Sequence, residues 1–396
     1  MSNPPPLSLS NWQLGPHNRH TFGRVREIVP TARVAAGQTP LELETDTDTD
    51  TDTLDLGTPV ELGGTPVGTI GSLLSETYTD GFIVVREGRI VAEHYPGDLD
   101  AERNHALFSV SKTLVGTVCA ILAEQGVLDV DELVTTYVPA LAASGYRGAT
   151  VRHLLDMRSG IKFSEEYDDL SAEVRRIDQA VGWLPRDDAD APTRLYDYLP
   201  RLVAERPHGG HFDYRSCETD VLGWVCEAAS GLQMPELLSR LLWSRIAEHD
   251  MDAGVDIDRT VFFDGGLTAT LRDLARFGEL VRRRGHDGRA QVVPASWIDD
   301  ALAGAHDSRQ AFASGPLGDV HPGWMYRNQF WVPYGDRRVL LCLGIHGQMV
   351  HVDLDAQVVV AKLSSWPTPL DAGLDAKTDA LTQAAVRAVS AVAGVR

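Results

Sequence analysis

The stretch from Leu107 to Gly126 constrains the fold more than any other part of the sequence. Ser109 and Lys112 stand three residues apart, and the residues that follow are almost all apolar until Gly126. On an α-helix, side chains three positions apart lie on one face, with Cβ atoms about 5–6 Å apart. The spacing therefore predicts a serine hydroxyl beside a lysine amine at the start of a buried helix. We expect burial to lower the pKa of Lys112, so that a neutral amine can take a proton from the Ser109 hydroxyl.

The order of the predicted elements indicates an α+β fold. Two β-rich runs around the Glu87-Gly88 turn predict a hairpin, and three further strand-like runs lie between 338 and 363. Apolar periodicity and capping residues predict helices over 72–78, 109–126, 150–160, 220–229, 235–248, 268–278 and 374–392. Residues 161–200 are polar and acidic, and we expect them to be irregular. This order fits an antiparallel β-sheet flanked by helices, with an inserted all-helical lobe.

The chain is expected to hold one large domain behind an N-terminal extension. Residues 1–71 lack clear periodicity and should drape over the main domain. They contain a Thr-Asp alternation at Thr45–Thr53, which we interpret as an acidic, solvated loop. The predicted domain covers 72–396, with an α/β part at about 72–150 and 260–396 and a helical lobe at about 150–260.

The overall charge narrows the partners that this chain can have. Its 36 basic and 56 acidic residues give a net charge of −20. Such a charge disfavours nucleic acids and anionic membranes, because both repel an acidic protein. No apolar run reaches the roughly 18 residues that cross a membrane, and the N-terminus lacks the basic and apolar regions of a secretory signal. We therefore expect a cytoplasmic protein whose partner is a small molecule.

The sequence carries no pattern that requires a metal or a cofactor. Its four cysteines are scattered, without C-x-x-C pairs, so neither a disulfide framework nor a zinc site is expected. The Gly-x-Ser-x-Gly elbow, the H-E-x-x-H motif, a phosphate-binding loop and a dinucleotide fingerprint are also missing. The sequence therefore gives no support for a Gly-x-Ser-x-Gly hydrolase, a zinc enzyme, or an enzyme that binds a nucleotide cofactor.

Five blocks of sequence together resemble one known family. They are Phe108-Ser-Val-Ser-Lys112, Leu154-Leu-Asp-Met-Arg-Ser-Gly160, Phe212-Asp-Tyr-Arg-Ser216, Gly344-Ile-His-Gly-Gln348 and Lys362-Leu-Ser-Ser-Trp-Pro367. The first carries the Ser-x-x-Lys pattern of serine β-lactamases and penicillin-binding proteins. The set resembles the class C-like branch of that superfamily, and within it the 6-aminohexanoate-dimer hydrolases, the nylon-oligomer enzymes. The resemblance implies a β-lactamase/transpeptidase-like fold and a serine hydrolase without a cofactor.

The resemblance implies that Ser109 is the nucleophile and that Lys112 is its base. A serine hydroxyl needs an adjacent base to react, and a helix N-terminus offers positive potential and a free N–H group to an oxyanion. The other interpretation is a helix-capping serine beside a solvated lysine. Ser111 is a less suitable nucleophile, because it is one residue from Lys112 and points away from it.

Tyr214 is a second candidate base, since the family has a Tyr-x-Asn or Tyr-x-Ser element that points a phenol at the nucleophile. Here the element reads Tyr214-Arg-Ser216. A nearby ammonium favours the ionised phenol. We therefore expect Tyr214 to ionise more easily than a free tyrosine and to relay a proton to the leaving amine. The other interpretation is a core tyrosine at the edge of a strand.

The block from Gly344 to Gln348 stands where β-lactamases place Lys-Thr-Gly, on the strand that lines the pocket. His346 and Gly347 replace the lysine and the threonine. This departure weakens the case for a clamp on a substrate carboxylate, and hence for β-lactam hydrolysis. The N–H group of Ile345 is expected to donate to the oxyanion. His346 is interpreted either as a neutral donor near the site or as a packed strand histidine.

The resemblance places four further residues around the substrate. Tyr167 lies in a loop that closes over it, Trp331 walls the pocket, Asp178 faces the substrate's free amino end, and Asp264 stands where the family more often has Asn. A partly desolvated carboxylate at Asp178 could hold an ammonium group. The other interpretations are a solvated acidic loop for Asp178 and ordinary packing for Tyr167 and Trp331.

Together these residues predict an acyl-enzyme hydrolase of small linear amides. The resemblance implies the 6-aminohexanoate dimer as preferred substrate, side activity on short esters and a homodimer. One alternative is a carboxylesterase with the same fold, since one Ser/Lys/Tyr machinery can cleave both bonds. An alternative of another class is a non-catalytic acyl-binding sensor that keeps the fold.

Overall fold

The computed structural model describes residues 5–45 and 54–391. The acidic Thr-Asp repeat that was predicted as a solvated loop lies, apart from Thr45, outside these residues. Within the described part, no helix combines the length and the apolarity that a membrane span requires.

The described strands form three sheets. The strands are β1 (Thr31–Val34), β2 (Glu44–Thr45), β3 (Pro59–Leu62), β4 (Thr65–Thr69), β5 (Thr79–Arg86), β6 (Arg89–His94), β7 (His105–Ala106), β8 (Met251–Gly254), β9 (Leu267–Ala269), β10 (Met325–Arg327), β11 (Phe330–Val332), β12 (Val339–Gly344), β13 (Gln348–Asp353) and β14 (Val358–Ser364). The largest sheet has the order β10-β11-β12-β13-β14-β5-β6-β2, the second β1-β8-β9-β7, and the third is the hairpin β3-β4. Among the described strands of the largest sheet, only β2 and β6 pair in parallel.

The predicted hairpin and meander are confirmed as β5–β6 and β12–β14. Glu87 and Gly88 turn the hairpin with φ angles of 51° and 86°, the backbone that a tight two-residue loop requires. The strands β13 and β14 are buried along their whole length. The near-continuous apolar sequence of β14 follows from this, because a strand covered on both faces has no polar side.

Helices cover both faces of the large sheet. The α-helices are α1 (Asn18–Thr21), α2 (Val25–Ile28), α3 (Ile70–Glu76), α4 (Val110–Glu124), α5 (Val134–Tyr137), α6 (Val151–Leu155), α7 (Glu173–Ala180), α8 (Leu195–Tyr198), α9 (Ser216–Ser230), α10 (Met234–Leu238), α11 (Ser244–Ile246), α12 (Leu271–Arg282), α13 (Ala295–Ala303), α14 (Ser308–Ala313) and α15 (Ala372–Ala391). Short 3₁₀ helices lie at Pro139–Ala143, Leu199–Arg201 and Ile345–Gly347, and a π turn at Ser239–Trp243 joins α10 to α11.

Alternate side chains of the sheet point into two separate cores. On β5, Ile83 and Val85 join the core that contains α4 and α12, whereas Phe82 and Val84 join the core that contains α3 and α15. This is the two-residue period of a strand packed on both faces. The prediction of an α+β fold is confirmed.

Helix α4 is the buried helix that the sequence predicted. Every side chain from Val110 to Leu122 is buried, and the helix packs against α9 and β12. It ends before Gly126, whose φ of 68° is the left-handed conformation that commonly stops a helix. The helix thereby fixes its N-terminal end, with Ser109, against the core.

The N-terminal segment is built into the main fold. Strand β1 pairs with β8 in the second sheet, and Trp12 is fully buried. The Trp12 indole Nε1 donates to the carbonyl oxygen of Trp183 at 3.0 Å. The residues that were predicted to drape over the domain therefore share its hydrophobic core.

Two local predictions are wrong. Residues 161–200 are not irregular throughout, because they contain α7 and α8. Thr268 does not begin a helix, since it lies in strand β9; helix α12 starts at Leu271, where the Thr270 hydroxyl caps it by accepting the Asp273 N–H at 3.1 Å. Strand pairing with β7 and β8 prevails here over a good local capping sequence.

Candidate active site

Ser109 lies at the N-terminal end of α4 and is half-buried. Its neighbour Phe108 has a φ of 47°, a left-handed conformation that costs energy in a residue other than glycine and is concentrated at functional sites. The Ser109 side chain makes no capping hydrogen bond to the helix. The interpretation of Ser109 as a capping serine beside a solvated lysine is therefore wrong, and its hydroxyl is available to other groups.

Lys112 is 1% exposed and makes three hydrogen bonds with its ammonium group. Its Nζ donates to Ser109 Oγ at 2.9 Å, to Ser216 Oγ at 3.0 Å and to the carbonyl oxygen of Asp264 at 3.0 Å. An ammonium has three N–H donors and no acceptor, so these three oxygens match its capacity. The predicted contact between Ser109 and Lys112 is present in the structure.

The expected lowering of the Lys112 pKa is wrong. Burial is the largest single effect and does lower the pKa, but the ionised form of Tyr214 and the carboxylates of Asp264, Glu165 and Asp220 together outweigh it and raise the pKa. Opposite charges within a few ångströms favour the charged form of a buried group. The resting site therefore holds Lys112 as an ammonium.

Tyr214 packs beside the Lys112 ammonium and against Trp331. The Lys112 Nζ lies 5.1 Å from the centre of the Tyr214 ring, and the Tyr214 and Trp331 rings stack with centroids 5.1 Å apart. The expectation of easier ionisation is wrong: burial raises the pKa of Tyr214, although Lys112 and Ser109 oppose that rise. The resting phenol is therefore neutral, and buried Trp331 holds its ring in place.

Glu165 joins three groups of the site in a way that the sequence did not predict. Its Oε1 accepts hydrogen bonds from the Ser216 hydroxyl, from the Ser216 N–H at 3.2 Å and from the Tyr167 hydroxyl at 3.2 Å. Burial raises the pKa of Glu165 to about 7, while Lys112 and Ser216 lower it. Tyr167, predicted to close over the substrate, is thus attached to the Lys112 hydrogen-bond network.

Asp264 and Asp220 form a buried pair of carboxyl groups behind Lys112. The Asp264 Oδ1 lies 3.6 Å from the Lys112 Nζ, and the Asp264 N–H donates to Asp220 Oδ1 at 3.2 Å. Burial raises the pKa of both carboxyl groups, and the charge of Asp264 raises that of Asp220 further. An ionised Asp264 therefore disfavours ionisation of Asp220.

Asp178 is 7% exposed and lies on α7. Its Oδ2 accepts a hydrogen bond from Arg175 Nη1 at 2.8 Å. Burial raises the Asp178 pKa to about 7, Arg175 lowers it, and Asp264 raises it further. The interpretation of Asp178 as a solvated loop carboxylate is wrong, because a helix holds it in the interior beside an arginine.

His346 is a packed side chain and not a donor to substrate. It is fully buried, and its Nδ1 lies 2.8 Å from the carbonyl oxygen of Trp366, so Nδ1 carries the proton. Burial lowers the His346 pKa to about 4, which leaves Nε2 without a proton to donate. Ile345, expected on a strand, instead begins a short 3₁₀ helix directly after β12.

The sequence of this chain matches the model of a known protein family. A sequence model of the Beta-lactamase family matches residues 76–384, which include Ser109, Lys112 and Tyr214. The chain belongs to the β-lactamase family. It is a serine hydrolase, and the predicted family and the β-lactamase/transpeptidase-like fold are confirmed.

Individual proteins that are similar to this chain give a more specific comparison than the family model. The 6-aminohexanoate-dimer hydrolase of Paenarthrobacter ureafaciens is 36% identical over 366 residues, which are 91% of this chain and 89% of that protein. A solved Bacillus anthracis structure, provisionally named 6-aminohexanoate-dimer hydrolase, superposes with a TM-score of 0.84 at 26% identity over 96% of both chains. A family VIII carboxylesterase gives a TM-score of 0.58 at 16% identity over 81% of this chain and 95% of that one, which shows the fold alone.

This β-lactamase-family site also contains three residues that were not predicted from the sequence, Glu165, Asp220 and Arg175. Glu165 lies in an acidic segment without periodicity, and its role depends on a contact with Ser216, 51 positions away. Asp220 follows Glu218 in the first turns of α9, just before the apolar run of that helix, and two acids on a buried helix are a detectable signal, because a buried acid needs a partner. Arg175 stands three residues before Asp178 on one helix face, so the contact between them could also have been predicted from the sequence.

Asp178→Asn is expected to change how stability depends on pH. Folding raises the Asp178 pKa from 3.8 to about 7, so the folded protein keeps a proton that the unfolded chain has released. The wild type therefore loses stability as the pH rises from about 4 to about 7, whereas asparagine does not titrate. The free energy of unfolding of the variant, relative to the wild type, should rise by about 1–3 kcal/mol across that window.

Chemical denaturation at several pH values measures this difference for Asp178→Asn. The same substitution at exposed Asp190 is the matched control, because it removes one carboxylate of the same segment from the surface. A difference between Asp178→Asn and wild type that stays constant with pH would contradict the buried, proton-binding state of Asp178.

Proposed function

We propose that this serine hydrolase cleaves small linear amides through an acyl-enzyme on Ser109, with the 6-aminohexanoate dimer as preferred substrate. The observation that carries the proposal is the contact of 2.9 Å between Lys112 Nζ and Ser109 Oγ at the end of a buried helix. The 36% identity to the P. ureafaciens 6-aminohexanoate-dimer hydrolase supports the substrate class. Membership of a hydrolase family also argues against the non-catalytic sensor.

In the proposed reaction, Ser109 Oγ attacks the amide carbonyl while its proton passes to Lys112. Lys112 must first lose one proton, because an ammonium has no lone pair to accept another. The developing oxyanion is proposed to lie against the N–H groups of Ser109 and Ile345, where fixed donors stabilise negative charge. Tyr214, beside the Lys112 ammonium, then hands a proton to the leaving amine as the C–N bond breaks.

Hydrolysis of the acyl-enzyme repeats these steps with water. Lys112 and Tyr214 take a proton from water as its oxygen attacks the ester carbonyl, and the Ser109 oxygen leaves as a hydroxyl. The neutral resting phenol of Tyr214 suits the donor role in the first half, because it carries the proton that the leaving amine needs. The same pair can return to its starting protonation state after each cycle.

Asp178 is the proposed anchor for the free amino end of the substrate. Its carboxyl group is buried on the same electrostatic network as Lys112 and Asp264, and one oxygen is held by Arg175. A carboxylate has four lone-pair sites, so Asp178 can bind a substrate ammonium while it keeps the arginine. In a buried setting such a charge-assisted contact is about twice as strong as a neutral hydrogen bond.

The second candidate is a carboxylesterase of short acyl esters. The Arg175–Asp178 contact favours it, because an arginine already neutralises the carboxylate that an ω-amino substrate would need. An ester substrate requires neither that anchor nor protonation of a leaving amine. Both candidates share the Ser109, Lys112 and Tyr214 chemistry.

Asp178→Asn is expected to separate the two candidates. The variant should lose about 10- to 100-fold in kcat/KM on the 6-aminohexanoate dimer, because a charged hydrogen-bond partner contributes about 1.5–3 kcal/mol, and should keep its activity on p-nitrophenyl acetate. The measurement is the ratio of the two kcat/KM values, with Asp190→Asn as a control of equal charge change. An equal fall on both substrates would overturn the amine-anchor role of Asp178.

A further inference from the structure

An unbroken chain of hydrogen bonds leads from Lys112 away from the nucleophile. The Lys112 Nζ contacts Ser216 Oγ at 3.0 Å, and Ser216 Oγ contacts Glu165 Oε1. Ser216 is 1% exposed, so water does not compete for its hydroxyl. Lys112 and Glu165 are thus joined through a single buried hydroxyl group.

Chemistry fixes the direction of this chain without observed hydrogen positions. A lysine ammonium can only donate, so Ser216 Oγ accepts from Lys112. The one hydrogen of the Ser216 hydroxyl must then point to its other partner, the Oε1 of Glu165. All donors run from Lys112 towards Glu165, which is the arrangement that carries a proton in that direction.

We propose that Glu165 is the acceptor of the proton that Lys112 must lose before Ser109 can react. This inference rests on the proposed roles of Ser109 and Lys112. Ser216 passes its own hydrogen to Glu165 and takes one from Lys112. The products are a neutral amine, an intact serine hydroxyl and a neutral carboxylic acid.

The neutral Lys112 amine then takes the hydroxyl proton of Ser109 as the bond between Ser109 Oγ and the substrate carbonyl carbon forms. The electron pair of the carbonyl π bond moves to oxygen. When the leaving group departs with a proton delivered through Lys112 and Tyr214, the amine is neutral again, and Glu165 returns its proton at the end of the cycle. Glu165 is therefore a positioning residue that sets the protonation state of Lys112.

The groups that face Glu165 suit an acceptor that works near neutral pH. Lys112 favours its carboxylate form and Asp264 its acid form, while Tyr167, Tyr214 and Cys217 face it as neutral groups whose own pKa values are raised by burial. The resulting Glu165 pKa of about 7 lies below that of Lys112, so the uptake of the proton is an uphill step that the attack of Ser109 on substrate must follow, and the return of the proton to Lys112 is downhill.

Glu165→Gln tests the proposal, because glutamine keeps an oxygen for Ser216 and Tyr167 but cannot take a proton. With p-nitrophenyl acetate as substrate, kcat/KM should fall about 100-fold or more, and the acidic limb of the pH profile should disappear. Ser216→Ala should cause a similar loss, and the double variant should be no worse than the poorer single variant, since both block one path. Glu165→Asp, which keeps a carboxyl group, should retain the acidic limb.

A Glu165→Gln enzyme within about threefold of wild type, or an unchanged acidic limb with additive single losses, would overturn the relay. Glu165→Asp keeps the test valid if the glutamine variant does not fold. Fluorophosphonate labelling of wild type separates this failure from that of the proposed function. An adduct on Ser109 together with a fully active Glu165→Gln enzyme rejects the relay alone, whereas a wild type that forms no adduct rejects the proposed function.

Discussion

Ser109→Ala is expected to lower kcat/KM by about 10⁴-fold or more on both amide and ester substrates. The substitution removes the oxygen that forms the acyl bond, and Ser111 cannot replace it, because its buried hydroxyl accepts the N–H of Leu267 at 3.2 Å. The fold should survive, since Ser109 does not cap α4 and its hydroxyl contacts only other side chains of the described site, Lys112 and Tyr214. Each lost hydrogen bond costs about 1 kcal/mol.

Steady-state kinetics and thermal unfolding of Ser109→Ala measure the two parts of this prediction. Ser111→Ala is the matched control: it removes the neighbouring hydroxyl, and we expect it to keep the acyl-transfer chemistry. A Ser109→Ala enzyme that keeps more than about a hundredth of wild-type activity would show that another residue is the nucleophile.

Lys112→Met is expected to reduce both activity and stability. Loss of the amine removes the partner of Ser109 and should lower kcat/KM by about 10³-fold. It also leaves the carboxyl groups of Glu165, Asp220 and Asp264 without their buried cation, which should lower the free energy of unfolding by about 3 kcal/mol at neutral pH. The loss of stability should shrink towards pH 5, because Glu165, with a pKa of about 7, is then protonated.

Lys362→Met is the control for Lys112→Met. Lys362 is equally buried, on β14, but burial lowers its pKa to about 7 and it lies outside the proposed site. Its replacement should leave kcat/KM unchanged, since no proposed step uses it. A Lys112→Met enzyme that loses equal stability at pH 5 and pH 8 would contradict the account of Lys112 as the counter-ion of a carboxyl cluster.

The sequence was sufficient for the parts of the site that lie on one element or follow a local pattern. The Ser109–Lys112 contact follows from helical spacing, and the β5–β6 hairpin from two apolar runs around Glu87-Gly88. The buried course of α4 also follows from its uninterrupted apolar sequence. These features depend on neighbours in the chain, which is why they could be predicted.

The electrostatics of the site could not be predicted in the same way. The Lys112 pKa is raised because Tyr214, Asp264, Glu165 and Asp220, which come from three separate segments, meet around one ammonium. Burial alone, which the sequence does indicate, has the opposite sign. The neutral state of Tyr214 and the Arg175 partner of Asp178 likewise depend on packing between segments.

The strands β10 and β11 illustrate the same limit for the fold. Each has only three residues, too few for the alternation that marks a strand. Nevertheless they carry Trp331 to the ring of Tyr214. A short hairpin at the edge of a sheet is specified by the surface it joins more than by its own sequence.

The most direct test of the account is labelling with a fluorophosphonate probe, read by intact-mass spectrometry and peptide mapping. We expect a single covalent adduct on Ser109 of the wild type and no adduct on Ser109→Ala. A wild type that forms no adduct, or a Ser109→Ala protein labelled to the same extent, would contradict the central claim that Ser109 is the nucleophile of this hydrolase.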